Sequence, residues 1–251
     1  MMTDSVLNVV LGLVASALSA GLGWLAQSVR RRRRRGRVRE FFGMPAGTEC
    51  LLVVNHHAAS HSSKSVSRND VYALMELSAL VKECGAQAEV VAHDQVRQGL
   101  GGKAEFCLGG PASNARTAAH LASWLPGVDF AVQNPDGPYG DTTIKVGDRE
   151  FAYVHPDAAP GGETYVLLAR LHPRPESRPV FLIAGQTATS NHAAVRHLVA
   201  NHRALARRHG KDGTFALVLR VVNARAYGPD VVEPVADVTA AATARTAPVA
   251  A

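Results

Sequence analysis

Short apolar runs alternate along this chain with segments of helical period. The runs are CLLVVN (50 to 55), AEVVAH (88 to 93), AEFCLGG (104 to 110), TYVLLARL (164 to 171), PVFLIAG (179 to 185) and TFALVLRVV (214 to 222). Each is bounded by loop residues, and their near-continuous apolarity predicts strands covered on both faces, as in a largely parallel sheet. Between them, VYALMELSALVKECG puts Val71, Leu74, Leu77, Leu80 and Val81 on one stripe. Ser67 and Asp70 open that helix like a capping box, and Gly85 stops it. A second helix is expected from about Asn114 to Pro126. A third is expected over NHAAVRHLVANHRALARRHG, with Arg207, Arg208 and His209 ahead of Gly210. From about Val128 to His155 the alternation breaks: NPDGPYGD reads as turns, and TIKVGDREFAYV as a β-hairpin turning at Gly147 and Asp148.

The N-terminal pattern is different. Ser5 to Val29 contains no ionisable side chain, and Arg30 to Arg39 holds eight arginines interrupted only by Gly36 and Val38. An uncharged run of 25 residues exceeds the roughly 20 that cross a hydrocarbon core, which predicts a transmembrane anchor over residues 1–29 and a basic juxtamembrane segment over 30–40. Arginines after the span place the N-terminus outside and the following domain in the cytoplasm, a single-pass protein of the cell membrane. On this reading Arg30 to Arg39 meet anionic lipids of the inner membrane, each contributing on the order of 1 kcal/mol. A secretory signal would carry its basic residues before the apolar run. Gly12, Ser16 and Ala20, with Ala15, Ser19 and Gly23, follow the small-xxx-small pattern through which membrane helices form homodimers.

Charge changes the picture of the rest. The chain has 27 Lys+Arg against 21 Asp+Glu; residues 1–40 hold eight arginines against Asp4 and Glu40, leaving 19 of each sign elsewhere. A neutral domain over 41–238 argues against nucleic acid as a partner, since a nucleic-acid binder spreads basic residues over its folded surface. Residues 239–251 lack large apolar side chains and read as a disordered tail. Cys50, Cys84 and Cys107 have no C-x-x-C spacing, so neither a disulfide framework nor a thiolate zinc site is indicated.

Two strand-to-helix junctions look alike: FCLGGPASNARTAAHL (106 to 121) and FLIAGQTATSNHAAVRHL (181 to 198). In open α/β sheets ligands bind beyond the carboxyl ends of the strands, and free N–H groups at a helix start attract anions. Gly109, Gly110, Ser113 and Asn114 of the first junction are therefore candidate ligand-binding residues, as are Gly185, Gln186, Thr187, Ser190 and Asn191 of the second. Asn55, opening the polar loop NHHAASHSSKSVSRND, supplies a third wall. The competing reading is that the glycines make turns and the Ser-Asn pairs only cap helices. Neither G-x-G-x-x-G nor G-x-x-x-x-G-K-[ST] is present, and G-x-S-x-G is absent.

His56, His57 and His61 follow no convergent ligand spacing, and His192, His197, His202 and His209 spiral around the third helix as surface histidines; no metal site is indicated. Asp70 is a weak catalytic candidate because Asp at a helix start is usually a cap; His93 and Asp94 are further acid or base candidates, and nothing selects among Glu76, Glu83 and Glu163.

LLVVNHHAAS, FCLGGPASN and FLIAGQTATSNHAAVRHL, behind a single apolar span and FFG, resemble a group of single-span actinobacterial membrane proteins with a Rossmann-like cytoplasmic domain. The resemblance covers nearly the whole chain and implies no established activity. The expected fold is thus α/β and Rossmann-like: a mostly parallel sheet flanked by helices, with a β-hairpin excursion, preceded by one transmembrane helix. The expected function is binding or sensing of a nucleotide or other small phosphorylated ligand at the strand carboxyl ends. The alternatives are a nucleoside or nucleotide hydrolase or transferase, and a tethered interaction protein without enzymatic activity. No cofactor is identified.

Overall fold

A computed structural model describes residues 2–57, 60, 62, 65–97, 100–134, 141–155 and 162–244, with the side chains of 2–18, 133, 134 and 141 left aside. Its elements in chain order are α1 (Met2–Phe42), β1 (Glu49–Val54), α2 (Arg68–Cys84), β2 (Gln87–Ala92), β3 (Ala104–Leu108), α3 (Ala115–Trp124), β4 (Val128–Asn134), β5 (Asp141–Val146) and β6 (Arg149–Ala152). There follow β7 (Glu163–Leu171), β8 (Val180–Gly185), α4 (Ala188–His209), β9 (Phe215–Val222), α5 (Ala224–Tyr227), β10 (Val232–Asp237) and α6 (Thr239–Thr243). The six apolar runs all lie in one seven-stranded sheet of order β10-β9-β7-β8-β3-β1-β2.

That sheet is mixed, which corrects the mostly parallel, Rossmann-like expectation. β2, β1, β3 and β8 run parallel, but β7 pairs antiparallel with both β8 and β9, and β10 pairs antiparallel with β9. The reason is connection length. Only residues 172–179 separate β7 from β8, pairing Leu171 with Val180, whereas a parallel neighbour needs a crossover of a dozen residues or more. The turn at Gly147 and Asp148 joins β5 to β6, and β4 pairs along β5 to make a separate three-stranded sheet.

Alternation along the strands divides the core in two. Cys50, Leu52, Phe106, Leu108, Phe181 and Ile183 face α2, α4 and the last turn of α1; Leu51, Val53, Cys107, Leu182 and Ala184 face α3, the small sheet and α6. Phe41 and Phe42 enter the first half fully, stacking around Phe181, Phe106 and His202. α6 lies within the stretch read as a tail, and it buries Ala242; residues 245–251 fall outside the described residues.

Among the described residues, no helix is long and apolar enough to cross a membrane, which overturns the expected transmembrane anchor and single-pass placement in the cell membrane. The helix α1 does not stop at the charge boundary but continues through the arginines to Phe42.

Candidate functional site

The carboxyl ends of β1, β2, β3 and β8 point the same way, and the polar loops after them meet there. Asp70, at the start of α2, is the hub: it is only 1% exposed, and its two oxygens accept from Asn55 Nδ2 at 3.0 Å and Asn191 Nδ2 at 2.9 Å. Burial raises its pKa from the ordinary aspartate value, against the two amide hydrogen bonds and the nearby His57 and His192, which lower it. Asn191 Oδ1 in turn accepts from Gly185 N at 2.8 Å. Asn55, Asp70, Gly185 and Asn191 therefore form one buried network that ties β1, α2, β8 and α4 together. The capping box expected at α2 is not made, because Ser67 contributes no side-chain cap and Asp70 turns inward.

Gly185 and Gly109 are required by close approach. A Cβ on Gly185 would meet Ser190 Oγ and Asn191 Oδ1 below 3.0 Å; on Gly109, whose φ is +96°, it would meet the Asn55 side chain at 2.7 Å. Gln186 acts as a latch: its Oε1 accepts from Tyr165 N at 2.7 Å while its Nε2 donates to Thr142 O and Phe151 O, holding the small sheet to β7.

At the β3 junction Asn114 is the N-cap. Its Oδ1 accepts from Arg116 N and Thr117 N, its Nδ2 donates to Leu108 O at 2.7 Å, and Ser113 Oγ folds back on Gly110 O. The remaining first-turn donor, Ala115 N, donates to His93 Nδ1 at 3.2 Å. The first turn of α3 has no donor left for an anion. At α4 the cap is Thr187, which with Ser190 makes a capping box. Its first two donors, Ala188 N and Thr189 N, have no hydrogen-bond partner among the described residues. Beside them lies a cavity of about 220 Å³ lined by Thr164, Thr187, Thr189, Glu163 and Arg225.

Two arrangements were not anticipated from the sequence. Glu105, 2% exposed on β3, carries a forked pair of hydrogen bonds from Arg116 at 2.8 and 2.9 Å, with His120 Nε2 at 2.9 Å and Cys107 Sγ at 3.1 Å. Burial pushes its carboxyl up, but the Arg116 and His120 hydrogen bonds outweigh it and hold the pKa at about 2. Glu105, Cys107 and His120 have the spacing of a metal cluster. However, the Arg116 guanidinium already fills the cation's place, and burial keeps the Cys107 thiol protonated. The second arrangement joins His56 and His93, 3.1 Å apart across the ends of β1 and β2, where a further cavity of about 250 Å³ opens. His61 lies outside the described residues. The helix histidines expected on the surface are instead packed: His192 bonds Glu76, His202 lies against Phe41 and Phe42, and burial lowers the pKa of His197.

No protein-family model matches this chain, and no curated protein matches it in sequence.

Proposed function

We propose that this domain binds a nucleotide or other small phosphorylated ligand with its phosphate group at the N-terminus of α4, in a binding or sensing role. The observation that carries the reading is the contrast in unused donors: Ala188 N and Thr189 N open beside a cavity with three threonine hydroxyls and the Arg225 side chain. The 22-residue helix behind them adds its dipole, and such a terminus attracts phosphate without further charge. A cavity of about 220 Å³ is below the usual 300–1,000 Å³ of drug-sized sites, which favours a compact ligand over a dinucleotide. The hydrolase or transferase reading through Asp70 gains nothing from its position, since both oxygens are engaged and the side chain is enclosed.

The test is thermal unfolding of the full chain with inorganic phosphate, mononucleotides and sugar phosphates, each against its unphosphorylated counterpart. Ligand at about 100 times its Kd stabilises by roughly 2.7 kcal/mol, a readily measured rise in Tm. That rise should require the phosphate and disappear in Thr189→Val. Indifference to every phosphorylated compound at millimolar concentration would sink the reading.

A further inference from the structure

The cavity at the ends of β1 and β2 is separate from the α4 terminus and has a different chemistry. Its walls are Val54, Val66, Val71, Leu74, Val90 and Ala92, and its polar groups are Asn55, His56, His93 and Asp94. Three of those polar groups have roles fixed by their partners. The backbone N–H of Ala115 can only donate, so His93 Nδ1 is its acceptor and the His93 proton sits on Nε2. That Nε2–H donates to His56 Nδ1 at 3.1 Å, which leaves the proton of His56 on its own Nε2. Asn55 is fixed the other way. Its Nδ2 is committed to the Asp70 carboxylate, and its Oδ1, in a side chain 93% buried by its 7% exposure, has no hydrogen-bond partner. A buried acceptor without a donor normally loses about 1–3 kcal/mol, so such a group is a place where a ligand or water belongs.

We infer that this cavity is a second small-molecule site, one that takes a flat heteroaromatic ring of the nucleobase class, with His56 Nε2–H donating to a ring acceptor and Asn55 Oδ1 accepting an N–H. The volume, about 250 Å³, suits one planar ring system, with an attached sugar left outside the cavity. The aliphatic walls suit a flat apolar face, and the polar pair asks for a ligand that both accepts and donates, as nucleobase edges do and simple anions do not. His93 is a positioning residue: it links the first turn of α3 to His56 and fixes which His56 nitrogen carries the proton. This site does not depend on the phosphate reading for α4.

The role of His93 predicts a pH profile. The titratable groups around it are Asp94 on its own loop and His56 on the β1 loop, while α2 contributes only Val71 and Leu74 to the cavity. Burial lowers the His93 pKa, Asp94 raises it, and His56 lowers it, with a net fall below the ordinary histidine value. A protonated His93 presents N–H to N–H at Ala115 and breaks the relay. Affinity should therefore hold at neutral pH and fall as pH drops below the ordinary histidine range.

The experiment is calorimetric titration of the full chain with adenosine, guanosine, cytidine and uridine, with ribose and inorganic phosphate as controls. At least one nucleoside should bind where ribose does not. His56→Phe should weaken it by about tenfold, the loss of one hydrogen bond. His56→Gln, whose amide N–H stands near the ring Nε2 position, should stay within about threefold. Binding of no nucleoside by the folded wild type overturns the site, as does binding that ignores His56→Phe or acidification. Phosphate heats in the same series report on α4 alone, so failure of one site is read apart from failure of the other.

Discussion

The junctions after β3 and β8 carry nearly the same letters, yet their Ser-Asn pairs do opposite work. After β3 the chain makes a turn through Gly110, Pro111 and Ala112, and the first side chain able to cap is in the pair itself, so Asn114 becomes the N-cap. The residue before a proline is held out of helix, which delays the start. After β8, Thr187 comes two residues beyond Gly185 and caps at once. Ser190 and Asn191 are then already inside the first turn, where Ser190 completes the capping box and Asn191 reaches back to Gly185 and across to Asp70. A helix that begins early keeps open donors at its tip; one that begins at its asparagine spends them. Position relative to the first hydroxyl, more than the motif, decides which junction can receive a ligand.

The two junctions also hold their buried carboxylates differently, and this gives the largest way to break the comparison. Glu105 below α3 is paired with Arg116, whereas Asp70 beside α4 has only amides. Arg116→Ala leaves the buried carboxylate without its guanidinium, held only by His120 and Cys107, and should destabilise by about 3–5 kcal/mol in urea unfolding. The asparagines come next. Asn191→Ala strips one of the two donors from Asp70 and the acceptor from Gly185 N and should cost about 2–3 kcal/mol, against about 1–2 kcal/mol for the cap lost in Asn114→Ala. Equal losses would mean that the two residues are interchangeable caps after all.

The dependence on pH sharpens the comparison further, because its sign differs between the junctions. The pKa of Glu105 is lowered from 4.5 to about 2, so its contribution is complete above pH 4.5 and is lost as pH falls from there to about 2. The pKa of Asp70 is raised above 3.8, so its contribution is present below that value and is lost as pH rises through the folded pKa. Urea midpoints across pH 2 to 7 should show a rising arm that disappears in Glu105→Gln and a falling arm that disappears in Asp70→Asn. A single arm that survives both substitutions would contradict the assignment.

Much of this was legible in the chain, and the rest was hidden for identifiable reasons. The six apolar runs are the strands of the large sheet because burial on both faces writes itself as continuous apolarity. Strand direction was hidden in a length: the gap between Leu171 and Val180 has no room for a helix and implies an antiparallel pair. β4 and β10 were missed because VDFAVQN and VEPVAD are partly exposed and polar, without the apolar run that marks their neighbours. At the site, glycine and asparagine pointed to the right loops but not to their roles. Whether an asparagine caps, staples or stays open is set by partners up to 121 residues away, such as Asp70 for Asn191. The His56 and His93 pairing was invisible for the same reason, the two lying 37 positions apart.

The last turn of α1 has a mechanical consequence. A helix of 41 residues is about 60 Å long, and its described shaft from Ser19 to Arg37 stands largely exposed while Val38, Phe41 and Phe42 are sunk in the core against β3 and β8. Those aromatic rings make the helix a lever with its short arm inside the domain. Any tilt imposed at the arginine-bearing end arrives, reduced in amplitude and multiplied in force, at the two strands from which both junctions spring.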